Sequence, residues 1–364
     1  GLQSSTMPET PELLADPADV TAHWLTDVLR SAGHDVVVAS VTSEPVGTGQ
    51  MAHNERYTIG YDPADYPGAS DAPATVVIKF PSPSEESRAA GAAGGYRTEI
   101  GFYTDLADEL AIEVPGCLFA TVADDGATFT LVLEDLAPAR QGDQIAGADD
   151  HQVVAAVRNL AGLHAPRWGD DSLHDLDWLM AAGGEAIGYV ELVTPMFVDR
   201  YADRMSADAR LVVEAFAADV GNWIEREPTV RTLVHGDYRL DNLMFATEAG
   251  GRPVSAVDWQ TLGIGAGGRD VAYLLGNSAE PDDRRRHEAE ALDAYRDAMG
   301  RLGVDLTAEE VLEQYRHGTF QGPFITMLGS IAVGQTERGD QMFMAMLERS
   351  VAQILDHDAL TVIS

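Results

Sequence analysis

The chain has 364 residues, 45% hydrophobic and 23% charged, a core-forming composition that excludes disordered, collagen-like and coiled-coil classes. Its 24 basic and 59 acidic residues give a net charge of −35, which excludes nucleic acid as a partner, suits a solvated acidic surface and would attract a cationic substrate. The single cysteine, Cys117, excludes an internal disulfide and fits a reducing cytoplasmic interior; no run approaches the roughly 20 apolar residues of a membrane span, so no membrane partner is expected.

Residues 1–10 lack the basic flank and apolar core of a signal peptide. Asp16-Pro17, followed by Val20, Trp24, Leu25, Val28 and Leu29, predicts a capped amphipathic helix ending near Gly33. Alternation then predicts strands over 36–46, 56–61 and 74–80. The Ser/Ala/Gly-rich stretch 81–95 reads as a loop. A helix over 96–110 carries Ile100, Tyr103 and Leu106 on one face, and strands over 117–122 and 128–133 follow. Beyond Glu134 the pattern turns helical, over 150–164, 205–225, 282–299 and 342–355, interrupted by short strands over 243–246 and 255–257. There is no internal repeat. The layout is α+β and bilobal: a small β-rich N-terminal lobe over 1–133 and a larger helical C-terminal lobe over 134–364.

One count within the charge is informative. Lysine occurs once, at Lys79, and the remaining basic residues are arginine. Lys79 sits in Thr75-Val76-Val77-Ile78-Lys79-Phe80, an apolar β-branched run where a charge costs free energy unless paired. A lysine surviving there suggests a task for a compact point charge, which a planar guanidinium does not replace.

The strongest chemical signal is Val234-His235-Gly236-Asp237-Tyr238-Arg239-Leu240-Asp241-Asn242-Leu243, followed by Ser255-Ala256-Val257-Asp258-Trp259-Gln260. The spacing asks for Asp237 and Asn242 in one loop and Asp258 at the end of an adjacent strand. Two carboxylates and an amide suit Mg²⁺, a hard cation that keeps room for phosphate oxygens. Asp237 then remains free to accept a proton from an attacking hydroxyl.

His-Gly-Asp, four residues and Asn, followed by Val-Asp-Trp, resembles the catalytic signature of the aminoglycoside phosphotransferase and choline-kinase-like superfamily, which shares the protein-kinase scaffold. The resemblance implies Asp237 as catalytic base and Asn242 and Asp258 as Mg²⁺ ligands. It implies Lys79 on the α/β-phosphates of ATP, or GTP, with Glu99 as the acidic helix residue holding that lysine. It also implies Asp270, in Gly-Arg-Asp-Val-Ala-Tyr, as a structural brace for the catalytic loop.

Weaker matches surround this core. Gly47 and Gly49, in Val46-Gly47-Thr48-Gly49, occupy the place of a nucleotide-covering loop, though an ordinary hairpin turn has the same look. Glu134 and Leu136 stand at the hinge position, where backbone groups would pair with an adenine edge. His164 reads as a packing histidine, Met342, Met344 and Met346 as core or groove lining, and Arg284-Arg285-Arg286 as a solvated helix face. The expected activity is phosphoryl transfer from ATP to the hydroxyl of a small molecule, with Mg²⁺ as cofactor. The alternatives are a catalytically silent nucleotide-binding protein and a kinase of a non-cationic acceptor, as in the ecdysteroid-kinase-like branch.

Overall fold

The computed structural model describes residues 10–47, 51–62, 71–181 and 185–364. They divide into two units, one holding the described residues up to Ala107 with Pro115–Leu136, the other Asp108–Val114 with Ala137–Ser364.

The first unit is built on a five-stranded sheet with α1 packed on one face. Asp16 caps the 3-10 turn Pro17–Asp19, accepting from the Ala18 N–H at 2.9 Å, and Thr21 caps the separate helix α1 (Ala22–Ser31), accepting from the Trp24 N–H at 3.1 Å. The single helix expected from Asp16 is thus two elements, each with its own cap. Gly33, with φ +92°, turns the chain out of α1 in a conformation that disfavours a side chain. Strands β1 (Val38–Pro45), β2 (Ala52–Tyr61), β3 (Thr75–Pro81), β4 (Cys117–Val122) and β5 (Phe129–Glu134) form an antiparallel sheet in the order β1-β2-β3-β5-β4. Successive side chains alternate faces. Tyr57, Ile59, Val76, Ile78 and Phe80 pack with Trp24, Leu25, Val28 and Leu29 of α1 in one core. Lys79 falls on the opposite face.

The stretch 81–95 is not the loop its composition suggests. Ser84 caps α2 (Glu85–Ala90), whose acidic first turn suits the positive end of the helix dipole. The chain continues through a π-turn, Gly91–Gly95, into α3 (Tyr96–Gly101). Small residues serve packing here: a Cβ on Gly91 would lie 2.2 Å from the Tyr96 ring. Ile100, Tyr103 and Leu106 are buried, as their spacing predicts.

The second unit is helical: α4 (Asp150–His164), α5 (Glu185–Tyr201), α6 (Ala207–Glu225), α7 (Gly268–Asn277), α8 (Pro281–Arg301), α9 (Ala308–Gly318), α10 (Gln321–Ala332), α11 (Glu337–Asp356) and α12 (Leu360–Ile363). One of its cores joins Val190, Val193 and Phe197 of α5 to Val212, Phe216 and Trp223 of α6, with Leu347, Val351 and Ile354 of α11. The apolar run 324–333 is spent in α10, and among the described residues no helix is long and apolar enough to cross a membrane.

Two small sheets carry the motif segments. One has the order β10-β9-β6, from β6 (Arg140–Gln141), β9 (Leu243–Thr247) and β10 (Gly250–Ala256). The other has the order β7-β11-β8, from β7 (Met180–Ala181), β8 (Thr232–Val234) and β11 (Gly263–Gly265). The arginine triplet needs a correction. Arg285 and Arg286 are surface residues, whereas Arg284 is 1% exposed and ion-paired with Glu288 and Asp356, so only part of that face is solvated. Met342 and Met346 are buried.

Candidate active site

Alternation along β3 aims Lys79 away from α1, and its ammonium donates to both Glu99 oxygens, at 2.7 and 2.8 Å. Both residues are buried, with Glu99 fully so. A pair this deep loses hydration on both charges and is retained only with close, multiple hydrogen bonds.

Three further positions belong to this unit. Gly47 has φ +77°, a turn conformation that favours glycine; Gly49 lies outside the described residues. The Glu134 N–H donates to the Gly116 carbonyl at 2.8 Å, and its carboxylate accepts from the Gly116 N–H at 3.0 Å. Leu136 follows the sheet, and Asp135 between them accepts from Arg56 Nε at 2.6 Å.

In the second unit β8 delivers His235, and the chain turns at Gly236 with φ +83°. A Cβ at Gly236 would meet the Thr261 carbonyl at 2.5 Å, so glycine is required for space as well as for backbone angle. Asp270, in the first turn of α7, grips this turn: its carboxylate accepts from the His235 N–H at 2.6 Å and the Gly236 N–H at 2.9 Å, with His164 Nε2 at 3.3 Å. Burial opposes the charge on Asp270, but His164, His235 and the Gly236 N–H outweigh it and hold the carboxyl below its usual range. The other His164 nitrogen lies 2.8 Å from the Tyr295 hydroxyl, so this histidine packs and braces.

Asp237 is next. Its Oδ1 accepts from the Tyr273 hydroxyl at 2.8 Å and from Arg239 Nε at 3.1 Å. Its Oδ2 accepts from Asn242 Nδ2 at 2.9 Å, with Arg239 Nε at 3.3 Å. Asn242 Nδ2 also donates to the Asp237 carbonyl, which commits the amide nitrogen and leaves Oδ1 as its oxygen donor. The Asn242 carbonyl accepts from the Val257 N–H at 3.0 Å, and Leu243 pairs with Ala256. Asp258 therefore follows directly on the backbone bonded to Asn242. It holds φ +65°, an uncommon angle for a residue with a side chain.

Sequence reasoning assigned no role to several residues that hold this loop. Arg239 bridges two carboxylates, with Nη1 on Asp241 at 2.8 Å, and although burial opposes its charge, Asp237 and Asp241 hold it firmly protonated. Gln144 is fully buried: its side-chain oxygen accepts from the Leu240 N–H at 2.9 Å and its backbone N–H donates to Asp241 Oδ1 at 3.1 Å. Arg349 of α11 donates in turn to the Gln144 carbonyl at 2.9 Å. The one signal for Arg239 was its place between Asp237 and Asp241. Tyr273 announced itself only by standing three residues after Asp270.

The arrangement offers one carboxylate fixed by donors on both oxygens, and a neighbouring amide oxygen and carboxylate. Among the described residues no group of three His, Cys, Asp or Glu side chains could hold a metal; a cation held by the Asn242 amide oxygen and the Asp258 carboxylate would have two protein ligands. That is the coordination Mg²⁺ favours when phosphates supply the remainder.

The sequence matches the model of the phosphotransferase enzyme family over residues 54–304. No curated protein gives a significant match. Among solved structures, the chain resembles the choline kinase from Cryptosporidium parvum Iowa II at 9% identity and TM-score 0.55, over 88% of this chain and 91% of that one. It resembles the Plasmodium vivax ethanolamine kinase at 11% identity and TM-score 0.53, over 89% and 86%. The GDP and kanamycin complex of APH(2")-IIia matches at 15% identity and TM-score 0.52, over 93% and 99%. These likenesses show the α+β fold of the kinase-like group.

Proposed function

Because the chain belongs to the phosphotransferase enzyme family, we propose that it is an ATP-dependent small-molecule kinase, with GTP as the other candidate donor, moving a γ-phosphoryl group onto a substrate hydroxyl. The observation that carries this reading is the bonding around Asp237, a carboxylate fixed by Tyr273, Arg239 and Asn242 one turn from the Asp270 brace. In this role Asp237 accepts the proton of the attacking hydroxyl. Asn242 Oδ1 and the Asp258 carboxylate would hold Mg²⁺, a pair of hard oxygen donors that fits the ion. When bound, the ion offsets charge developing on the phosphate oxygens. Lys79, kept in place by Glu99, would contact the α/β-phosphates, with Gly47 in the segment covering the nucleotide and the backbone at Glu134 and Leu136 toward its base. Phosphoryl transfer needs little covalent chemistry, so fixed charges and positions supply most of the acceleration.

The neighbours' names mention kanamycin, choline kinase and ethanolamine kinase, and kanamycin, choline and ethanolamine each carry a hydroxyl and a cationic nitrogen, protonated amines in two of them and a quaternary ammonium in choline. The test is turnover of Mg·ATP and Mg·GTP against these three, macrolides, and hydroxylated lipids and sterols, with the phosphorylated product identified by mass. Transfer to one acceptor that is lost in Asp237→Asn supports the reading. Nucleotide binding without turnover on any acceptor or on water would leave a catalytically silent protein instead.

A further inference from the structure

Helix α7 places two gripping side chains three residues apart, hence on one face. Asp270 holds the backbone at His235 and Gly236, and Tyr273 reaches the side chain of the next residue, Asp237, at 2.8 Å. Tyr273 is 1% exposed, and its hydroxyl makes no other hydrogen bond among the described residues. Burial first, and the Asp237 charge second, push its phenol well above the ordinary range, so it stays a donor.

A carboxylate offers about four acceptor positions. Tyr273 donates to Oδ1 at 2.8 Å and Asn242 Nδ2 to Oδ2 at 2.9 Å, while the single Arg239 Nε–H is shared between them, nearer Oδ1 at 3.1 Å than Oδ2 at 3.3 Å. Both contacts of Oδ2 are the longer ones, so Oδ2 is the less tightly held oxygen and the one an acceptor hydroxyl can engage in place of the shared Arg239 contact. Without the phenol, Oδ1 would regain a vacant position and the carboxylate could rotate toward it.

We infer that Tyr273 is a positioning residue for Asp237, occupying Oδ1 so that the carboxylate meets the acceptor hydroxyl through Oδ2. The inference rests on the kinase reading, and it extends that reading to a side chain on a helix separate from the catalytic loop. Nothing in the fold requires this hydroxyl: phenylalanine fills the same volume, and the ring packs in the small core of Tyr273, Met342, Phe343 and Met346.

The test is a double-mutant cycle of Tyr273→Phe and Asp237→Asn. The readout is phosphate release from Mg·ATP with water as acceptor, so that no acceptor need be identified, and Mg·ATP-analogue binding is measured by calorimetry alongside. Tyr273→Phe should lower kcat roughly tenfold to a hundredfold, as misplacement of a reacting group does, with KM and analogue binding unchanged. In the Asp237→Asn background the same change should cost less than about twofold, because its target is already lost. Equal losses in both backgrounds would assign Tyr273 to general structure and overturn the inference, as would an undiminished kcat in Tyr273→Phe. Should wild type turn over neither water nor any acceptor of the panel, the kinase reading itself fails; a wild type active on either, with an additive cycle, fails only the inference.

Discussion

Lys79 and Asp237 are aimed by different means. The direction of Lys79 comes from strand alternation: its neighbours Ile78 and Phe80 are buried against α1, so the lysine must face the other way, where Glu99 meets it. The direction of Asp237 comes from donors, namely Tyr273 on α7 and Arg239 and Asn242 in its own loop, beside a backbone held by Asp270. A strand needs only its register to aim a side chain. A loop needs every anchor, so damage to it can enter from several distant positions.

The comparison breaks most sharply at Asp237. Asp237→Asn keeps shape but removes the proton acceptor, and should lower kcat by roughly 10²–10⁴-fold with Mg·nucleotide binding nearly unchanged. Asp258→Asn should weaken Mg·nucleotide binding itself, measured by calorimetric titration with a non-hydrolysable analogue. If Asp237→Asn alone lost binding, the two roles would be exchanged.

Next comes the brace. Asp270→Asn leaves backbone N–H groups facing an amide and should cost about 3 kcal/mol of stability in urea unfolding, the scale of a broken buried charge pair. Because the folded-state carboxyl lies below its usual range, its contribution is full above the unfolded value of about 3.9 and fades as pH falls through the lower folded value. The variant should lose that part of the acid sensitivity. An unchanged urea midpoint in Asp270→Asn would mean that the loop stands without its grip.

Lys79→Arg tests the strand-borne side. A guanidinium can fork onto the Glu99 carboxylate but is planar and larger than the buried ammonium it would replace, and kcat/KM for the nucleotide should fall by roughly tenfold, the equivalent of one charged hydrogen bond of about 1.5 kcal/mol. Wild-type efficiency would remove the significance of the lone lysine. The smallest effect is expected from salt. kcat/KM should change by less than about twofold between low and physiological ionic strength if capture depends on fixed sites. A steep fall would show that the −35 charge steers a cationic acceptor.

The strands, the helix 150–164 and the His-Gly-Asp and Val-Asp-Trp segments were legible because their information is local: period, capping residues and fixed spacing. Lys79 stood out by being alone in an apolar run. What the sequence hid depends on contacts between distant positions. Tyr273 touches Asp237 across 36 residues and Gln144 touches Leu240 across 96, and no periodicity encodes either. The helix Glu85–Ala90 was masked by its Ser/Ala/Gly composition, although Ser84 and the two glutamates after it are a start signal. Arg284 was misjudged because one of its partners, Asp356, lies 72 residues downstream.

The bond from Arg349 to the Gln144 carbonyl spans 205 positions. On a ribosome, the segment that cradles Leu240 and Asp241 emerges long before the helix that pins it, so the His-Gly-Asp loop is translated well ahead of the Arg349 anchor. Contacts of such separation slow folding, since loop closure must precede their reward. A nascent protein stalled before Arg349 would carry the whole His-Gly-Asp segment without this clasp.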